Sequence, residues 1–99
     1  MRVIEKEMLK ALRDGRAMTK GNTKVTANGM VYLHDNHIAS VFDDFVTVNV
    51  RTLRNWPTPT TKSRLRALGV DVSSKDFNTF LEGTDIWDIE ADYYDTKKE

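Results

Sequence analysis

Three turn signals, Asn28-Gly29, Asp35-Asn36 and Asp43-Asp44, stand close together between Asn22 and Val50. A chain that reverses so often leaves no room for helices between the reversals, only for strands of about 5–6 residues. Asn-Gly between apolar residues signals a hairpin, because a type I′ turn needs positive φ at both central positions. Asp and Asn tolerate the same region through their short polar side chains. The stretch therefore predicts a four-stranded antiparallel meander.

Two-residue loops would set Ala27 opposite Met30, His34 opposite His37 and Phe42 opposite Phe45. Alternation then assigns Val25, Ala27, Met30, Tyr32, His34, His37, Ala39, Val41, Val46, Val48 and Val50 to the core face. The opposite face carries Lys24, Thr26, Val31, Leu33, Ile38, Ser40, Phe42, Phe45, Thr47 and Asn49. Its apolar members, Val31, Leu33, Ile38, Phe42 and Phe45, ask for a cover or a partner.

The elements around the meander follow from period and punctuation. Ile4, Met8, Ala11 and Leu12 form a helical stripe over residues 2–14, closed by Gly15. Arg16–Gly21 reads as a polar loop, and Arg51–Thr58 as a connection held extended by Pro57 and Pro59. Thr60 or Thr61 starts a short helix ending at Leu68-Gly69. Ser73 and Asp76 have capping-box spacing ahead of a second short helix, 74–82, burying Phe77, Phe80 and Leu81. Ile86, Trp87 and Ile89 then alternate imperfectly with acids, as an edge strand or an irregular arm, and Asp95–Glu99 is expected to fray. The expected fold is α+β: an N-terminal helix, the meander, two short helices and an acidic C-terminal arm or edge strand. All 99 residues form one domain, with a compact core over 1–83 and the arm over 84–99.

Charge sums to zero but is unevenly spread. Residues 45–70 hold Arg51, Arg54, Lys62, Arg64 and Arg66 with no acid, whereas 82–99 hold seven acids against Lys97 and Lys98. The first pattern suits a nucleic-acid face, the second a partner-facing tail. There is no cysteine, so neither a disulfide framework nor a thiolate site is available. No apolar run reaches the length of a membrane span, no signal-peptide stretch opens the chain, and no membrane association is expected.

Candidate sites divide by chemistry. His34 and His37 as cross-strand neighbours supply two metal ligands where structural zinc wants four, so no metal or other cofactor is expected. Thr60-Thr61-Lys62-Ser63-Arg64 could hold a phosphate at a helix start, but helix capping explains the threonines by itself. Trp56, among Arg51, Arg54 and Lys62, is a stacking platform or, the favoured reading, a plug for one end of a small core. Arg51, Arg54, Trp56, Lys62, Arg64 and Arg66 thus make the nucleic-acid alternative. For protein binding, Trp87, Tyr93 and Tyr94 are anchors among Asp85, Asp88, Glu90 and Asp92. Those acids either imitate phosphates or simply face water while the segment covers the sheet. No Ser/His/Asp or Cys/His arrangement has supporting context, so catalysis is not expected.

Three pieces together look familiar: Gly21-Asn22-Thr23, Tyr32-Leu33-His34-Asp35-Asn36-His37-Ile38-Ala39, and Trp56-Pro57-Thr58-Pro59-Thr60-Thr61-Lys62-Ser63-Arg64-Leu65. The combination, over roughly 3–82, resembles a family of small proteins of unknown function from tailed bacteriophages and prophages. That family usually has Gly at the position of Asp35, and the acidic segment 84–99 lies outside the resemblance. The resemblance implies a phage accessory protein in the host bacterial cytoplasm. On that basis the expected activity is binding, monomeric or dimeric, that inhibits or redirects a bacterial host or defence protein such as an immunity complex. A self-assembling structural phage protein is a further alternative, using the Val31, Leu33, Ile38, Phe42 and Phe45 patch.

Overall fold

A computed structural model of the chain describes residues 1–97. Helix α1 (Val3–Asp14) precedes five strands: β1 (Met18–Lys20), β2 (Thr23–Val25), β3 (Met30–Leu33), β4 (Asn36–Val41) and β5 (Phe45–Asn49). Helices α2 (Val50–Asn55) and α3 (Pro59–Ala67) follow, then a small sheet of β6 (Val72–Lys75), β7 (Asn78–Leu81) and β8 (Thr84–Asp85). A 3₁₀ turn (Ile86–Asp88) leads to β9 (Tyr93–Lys97), which returns to pair with β5. The main sheet has the order β1-β2-β3-β4-β5-β9, every neighbouring pair antiparallel. The α+β class stands. The meander is widened by β1, where a loop was expected, and by β9, where Asp95–Lys97 pair instead of fraying. The rest of the expected fray, Lys98 and Glu99, lies outside the described residues.

The helices lie on one side of this sheet. Met8 and Ala11 of α1, Leu53 of α2 and Leu65 of α3 are buried together with Val25, Val31, Leu33, Ile38, Ala39, Val46, Val48 and Val50. Gly15 closes α1 in the left-handed conformation (φ 65°), as expected. Helix α3 begins at Pro59, ahead of the expected cap at Thr60 or Thr61: the Thr58 hydroxyl accepts from the Thr61 N–H, and Pro59 takes the first turn, where its missing N–H costs nothing. Helix α2 was not expected. Asn49 caps it through the Thr52 N–H, and no proline enters until Pro57.

The register explains which side each strand residue faces. The Asn28-Gly29 loop has three residues, not two: Thr26 N–H donates to the Met30 carbonyl, and the Gly29 N–H to that of Thr26. Val25 therefore faces Val31. The next turn is His34-Asp35, both left-handed (φ 50° and 64°), so Tyr32 faces His37. One residue later the strand bulges: Val31 faces Ala39, and Ile38 is the extra residue. Between these two one-residue shifts the expected faces are reversed. Met30, Tyr32 and His37 point outward, Val31, Leu33 and Ile38 inward, and Ala27 and His34 sit in exposed turns. Beyond the bulge the expectation holds, with Phe42 opposite Phe45 and Val46 and Val48 buried.

The expected helix over 74–82 is instead the β6–β7 hairpin. Nine residues cannot sustain a helix without a packed face. Ser, Asp and Asn there favour turns, and Val72, Thr79 and Leu81 bury with the period of a strand. Phe77, expected in the core, stands at the hairpin tip, fully exposed at 108%.

Candidate interaction face

The side of the main sheet opposite the helices is open. Tyr32, His37, Asn49 and Tyr93 form one row across it, and Met30, Ser40, Thr47 and Asp95 the next. Phe42 and Phe45 form the last row, their rings stacked at 4.7 Å. Tyr32 meets the His37 ring edge-on at 5.5 Å, and Tyr93 lies 6.3 Å from His37 on its other side. Lys24 Nζ sits 5.8 Å from the Tyr32 ring centre. These aromatics and the polar groups between them line a shallow cleft of about 440 Å³.

The polar groups of this face are ordered by one another. His37 Nε2 lies 2.9 Å from Ser40 Oγ, and its Nδ1 lies 3.2 Å from Asn49 Nδ2. Thr47 donates to Asp95 Oδ1 at 2.7 Å. Burial lowers the His37 pKa below its ordinary value, and a hydrogen bond with the Ala39 backbone opposes that only in part. A neutral imidazole framed by tyrosines is a flat, uncharged contact surface. Such a surface suits aromatic and apolar partners better than phosphates.

Of the residues expected to bind protein, Phe42, Phe45 and Tyr93 belong to this face; Val31, Leu33 and Ile38 are core. Tyr94 and Thr96 turn toward the helices, so the C-terminal segment extends the sheet without covering its open side. Trp87 is exposed elsewhere, on the 3₁₀ turn, with the Arg54 guanidinium 5.6 Å from its ring. Asp85 accepts from the Trp87 N–H, which makes it a cap. Asp88, Glu90 and Asp92 are exposed along the stretch from that turn to β9, and the Asp92 carbonyl accepts from the Val50 N–H. Sequence reasoning missed Tyr32 and Met30 as outward residues, because neither the third residue of the Asn28-Gly29 loop nor the bulge at Ile38 leaves a local mark in the sequence.

The basic segment is dispersed. Arg64 is buried, its Nη1 donating to Glu5 Oε2 at 2.7 Å and its Nε to Thr23 Oγ1 at 3.0 Å. Ser63 donates to the same carboxylate at 2.6 Å. Burial would raise the Glu5 pKa, but the hydrogen bonds from Ser63, Arg64 and the Arg2 backbone, with the Arg64 charge, outweigh it and hold the carboxyl below its usual range. Arg54 is spent on the carbonyls of Ile86, Ile89 and Ala91, Arg66 on that of Val72, and Lys62 on Ser74. Arg51 is exposed. Trp56 is 55% exposed and does not plug the core; with Leu33, Ile38, Thr52, Thr60 and Thr61 it walls a cleft of about 330 Å³. His34 and His37 are not a cross-strand pair, and no cluster of three or more His, Cys, Asp or Glu forms among the described residues.

A family model described as Kyanoviridae Gp96 protein matches residues 1–98. The chain belongs to that family. It is thus a phage protein, and the match spans both the compact region and the C-terminal strand. No curated protein and no solved structure matches the chain. No helix among the described residues is long and apolar enough to cross a membrane.

Proposed function

We propose that this member of the Kyanoviridae Gp96 family is an accessory protein that works by binding, and that its open sheet face docks onto a bacterial host protein, inhibiting or redirecting it. The observation that carries the reading is the set of Tyr32, Phe42, Phe45 and Tyr93 on a sheet face that nothing among the described residues covers. Aromatic side chains are the usual anchors of protein interfaces, since each offers a large rigid area at low entropic cost. The charge near the face supports a protein partner over a nucleic acid: Lys24 and Lys97 are balanced by Asp95 and the Asp43-Asp44 turn. Nucleic-acid binding draws its affinity from many free cations, and four of the five basic residues of 51–66 are engaged within the fold. A defence complex is a fitting host target for a phage accessory protein; catalysis and cofactor use form no part of the proposal.

The test uses a photo-crosslinking residue placed at Tyr32 or Phe42, and at exposed Lys10 as control. The expected result is one host protein captured from both face positions and not from Lys10. Its capture falls more than about tenfold when Tyr93→Glu is added. Equal capture from Lys10, or capture that survives Tyr93→Glu, overturns the assignment of the face.

A further inference from the structure

The β6–β7 hairpin turns on Asp76 and Phe77, both left-handed (φ 52° and 68°). The second position of a type I′ turn favours glycine, and a bulky residue there is strained. The other turns show the ordinary solutions: Asp35 fills the equivalent place between β3 and β4, and Gly83 between β7 and β8. Phe77 therefore carries two penalties at once, a left-handed backbone and a fully exposed ring, for which the fold gains no contact.

The same chain holds an apolar cleft. Leu33, Ile38 and Trp56 supply its apolar lining, and four threonines with His34 and Asn36 its polar lining. At about 330 Å³ it lies near the small end of ligand pockets, which run from about 300 to 1,000 Å³, a size for one ring more than for a nucleotide. None of its lining residues is acidic, and its hydroxyl and amide groups can donate to a carboxylate. Asp76, beside the phenyl ring at the hairpin tip, supplies that carboxylate.

We propose that Phe77 of one copy seats in the Trp56 cleft of a second copy, so that the chain associates head to tail. Knob and hole are different surfaces, which makes the contact heterologous: it builds open chains or closes into a ring. One aromatic side chain buries roughly 150–250 Å², far below the ~1,200 Å² of a stable interface. The association is therefore weak, and it assembles only at high local concentration. This contact is independent of the open sheet face.

The experiment is sedimentation velocity over a concentration series with Phe77→Gly and Trp56→Ala variants. The wild-type mass is expected to rise with concentration. Phe77→Gly weakens self-association more than about tenfold while its thermal midpoint stays equal or rises, because glycine relieves the turn. Trp56→Ala, keeping the knob and losing the cleft wall, is likewise monomeric. Mixing the two variants restores a 1:1 dimer and nothing larger, since only one knob and one intact cleft remain. A wild-type monomer at every concentration overturns the proposal. So does association that survives Phe77→Gly, or a mixture of folded variants that fails to pair. Where the wild type stays monomeric yet captures a host protein through Phe77, the tip serves another partner and the second copy is excluded.

Discussion

The two faces of the main sheet come from the same strands and follow opposite rules. The covered face is aliphatic and β-branched: Val25, Val31, Val46 and Val48 are all at most 1% exposed. Where polar groups enter that side they are fully matched, as Arg64, Glu5, Thr23 and Ser63 are by one another. The open face is aromatic and hydroxylic, and its hydrogen bonds run sideways along the surface. Aliphatic packing against helices stabilises the fold. Tyrosine, phenylalanine and histidine left facing water add little to folding, yet they present the area a partner would bury. The contrast separates residues that hold the protein together from residues that are available to act.

The largest expected effect lies on the covered side. Arg64→Ala removes the partner of a buried carboxylate and should cost about 3–5 kcal/mol in urea unfolding. Glu5 also makes stability depend on pH. Its folded pKa is depressed, so its contribution is complete above the unfolded value of about 4.3 and is lost as pH falls through the folded one. Glu5→Gln should flatten that acid limb; an unchanged limb would show that the network is wet. Next come the neighbours Leu33 and Tyr32, on opposite faces. Leu33→Ala should cost about 2–5 kcal/mol, and Tyr32→Ala no more than about 1 kcal/mol, the size of a cross-strand pair. If Tyr32→Ala is the more damaging of the two, the faces are interchanged.

Gly29 sharpens the contrast, because its loop decides which residues face which way. Its φ is 92°, and an added Cβ would lie 2.5 Å from the Val41 carbonyl oxygen. Gly29→Ala must shift backbone and should cost about 1–3 kcal/mol. A cost near zero in thermal unfolding would mean that the three-residue loop does not set the register.

The turn residues made the hairpins legible, but not their lengths. Asn28-Gly29 signals a reversal whether the loop has two residues or three, and nothing local in Ile38 marks it as the extra residue of a bulge. Period alone then carries each error to the next shift, which is why Val31, Leu33 and Ile38 were expected outside while Phe42 and Phe45 were placed correctly. Arg64 read as a surface cation because its partner Glu5 lies 59 residues away on α1, a distance that no local pattern spans. Phe77 read as core because an aromatic is normally buried; its exposure appears only once β6 and β7 pair. The candidate site was thus partly visible: a bare face was foreseen, but three of its five expected apolar members, Val31, Leu33 and Ile38, are core.

The smallest expected effect tests how dry the open face is. His37 lies between Tyr32 and Tyr93, and burial there lowers its pKa. The unfolded chain then takes up a proton first as pH falls through about 6.5. The unfolded state binds more protons in that window, so stability declines gently with falling pH until the folded pKa is passed. His37→Gln should remove this slope and leave the steeper acid limb of Glu5 intact. Proton NMR of the ring should show His37 titrating below the ordinary histidine value. A partner that covers the face would desolvate the ring further and move its titration lower still. Titration at or above the ordinary value would mean that water reaches the ring freely between the two tyrosines. The face would then be an ordinary solvated surface instead of a preordered contact.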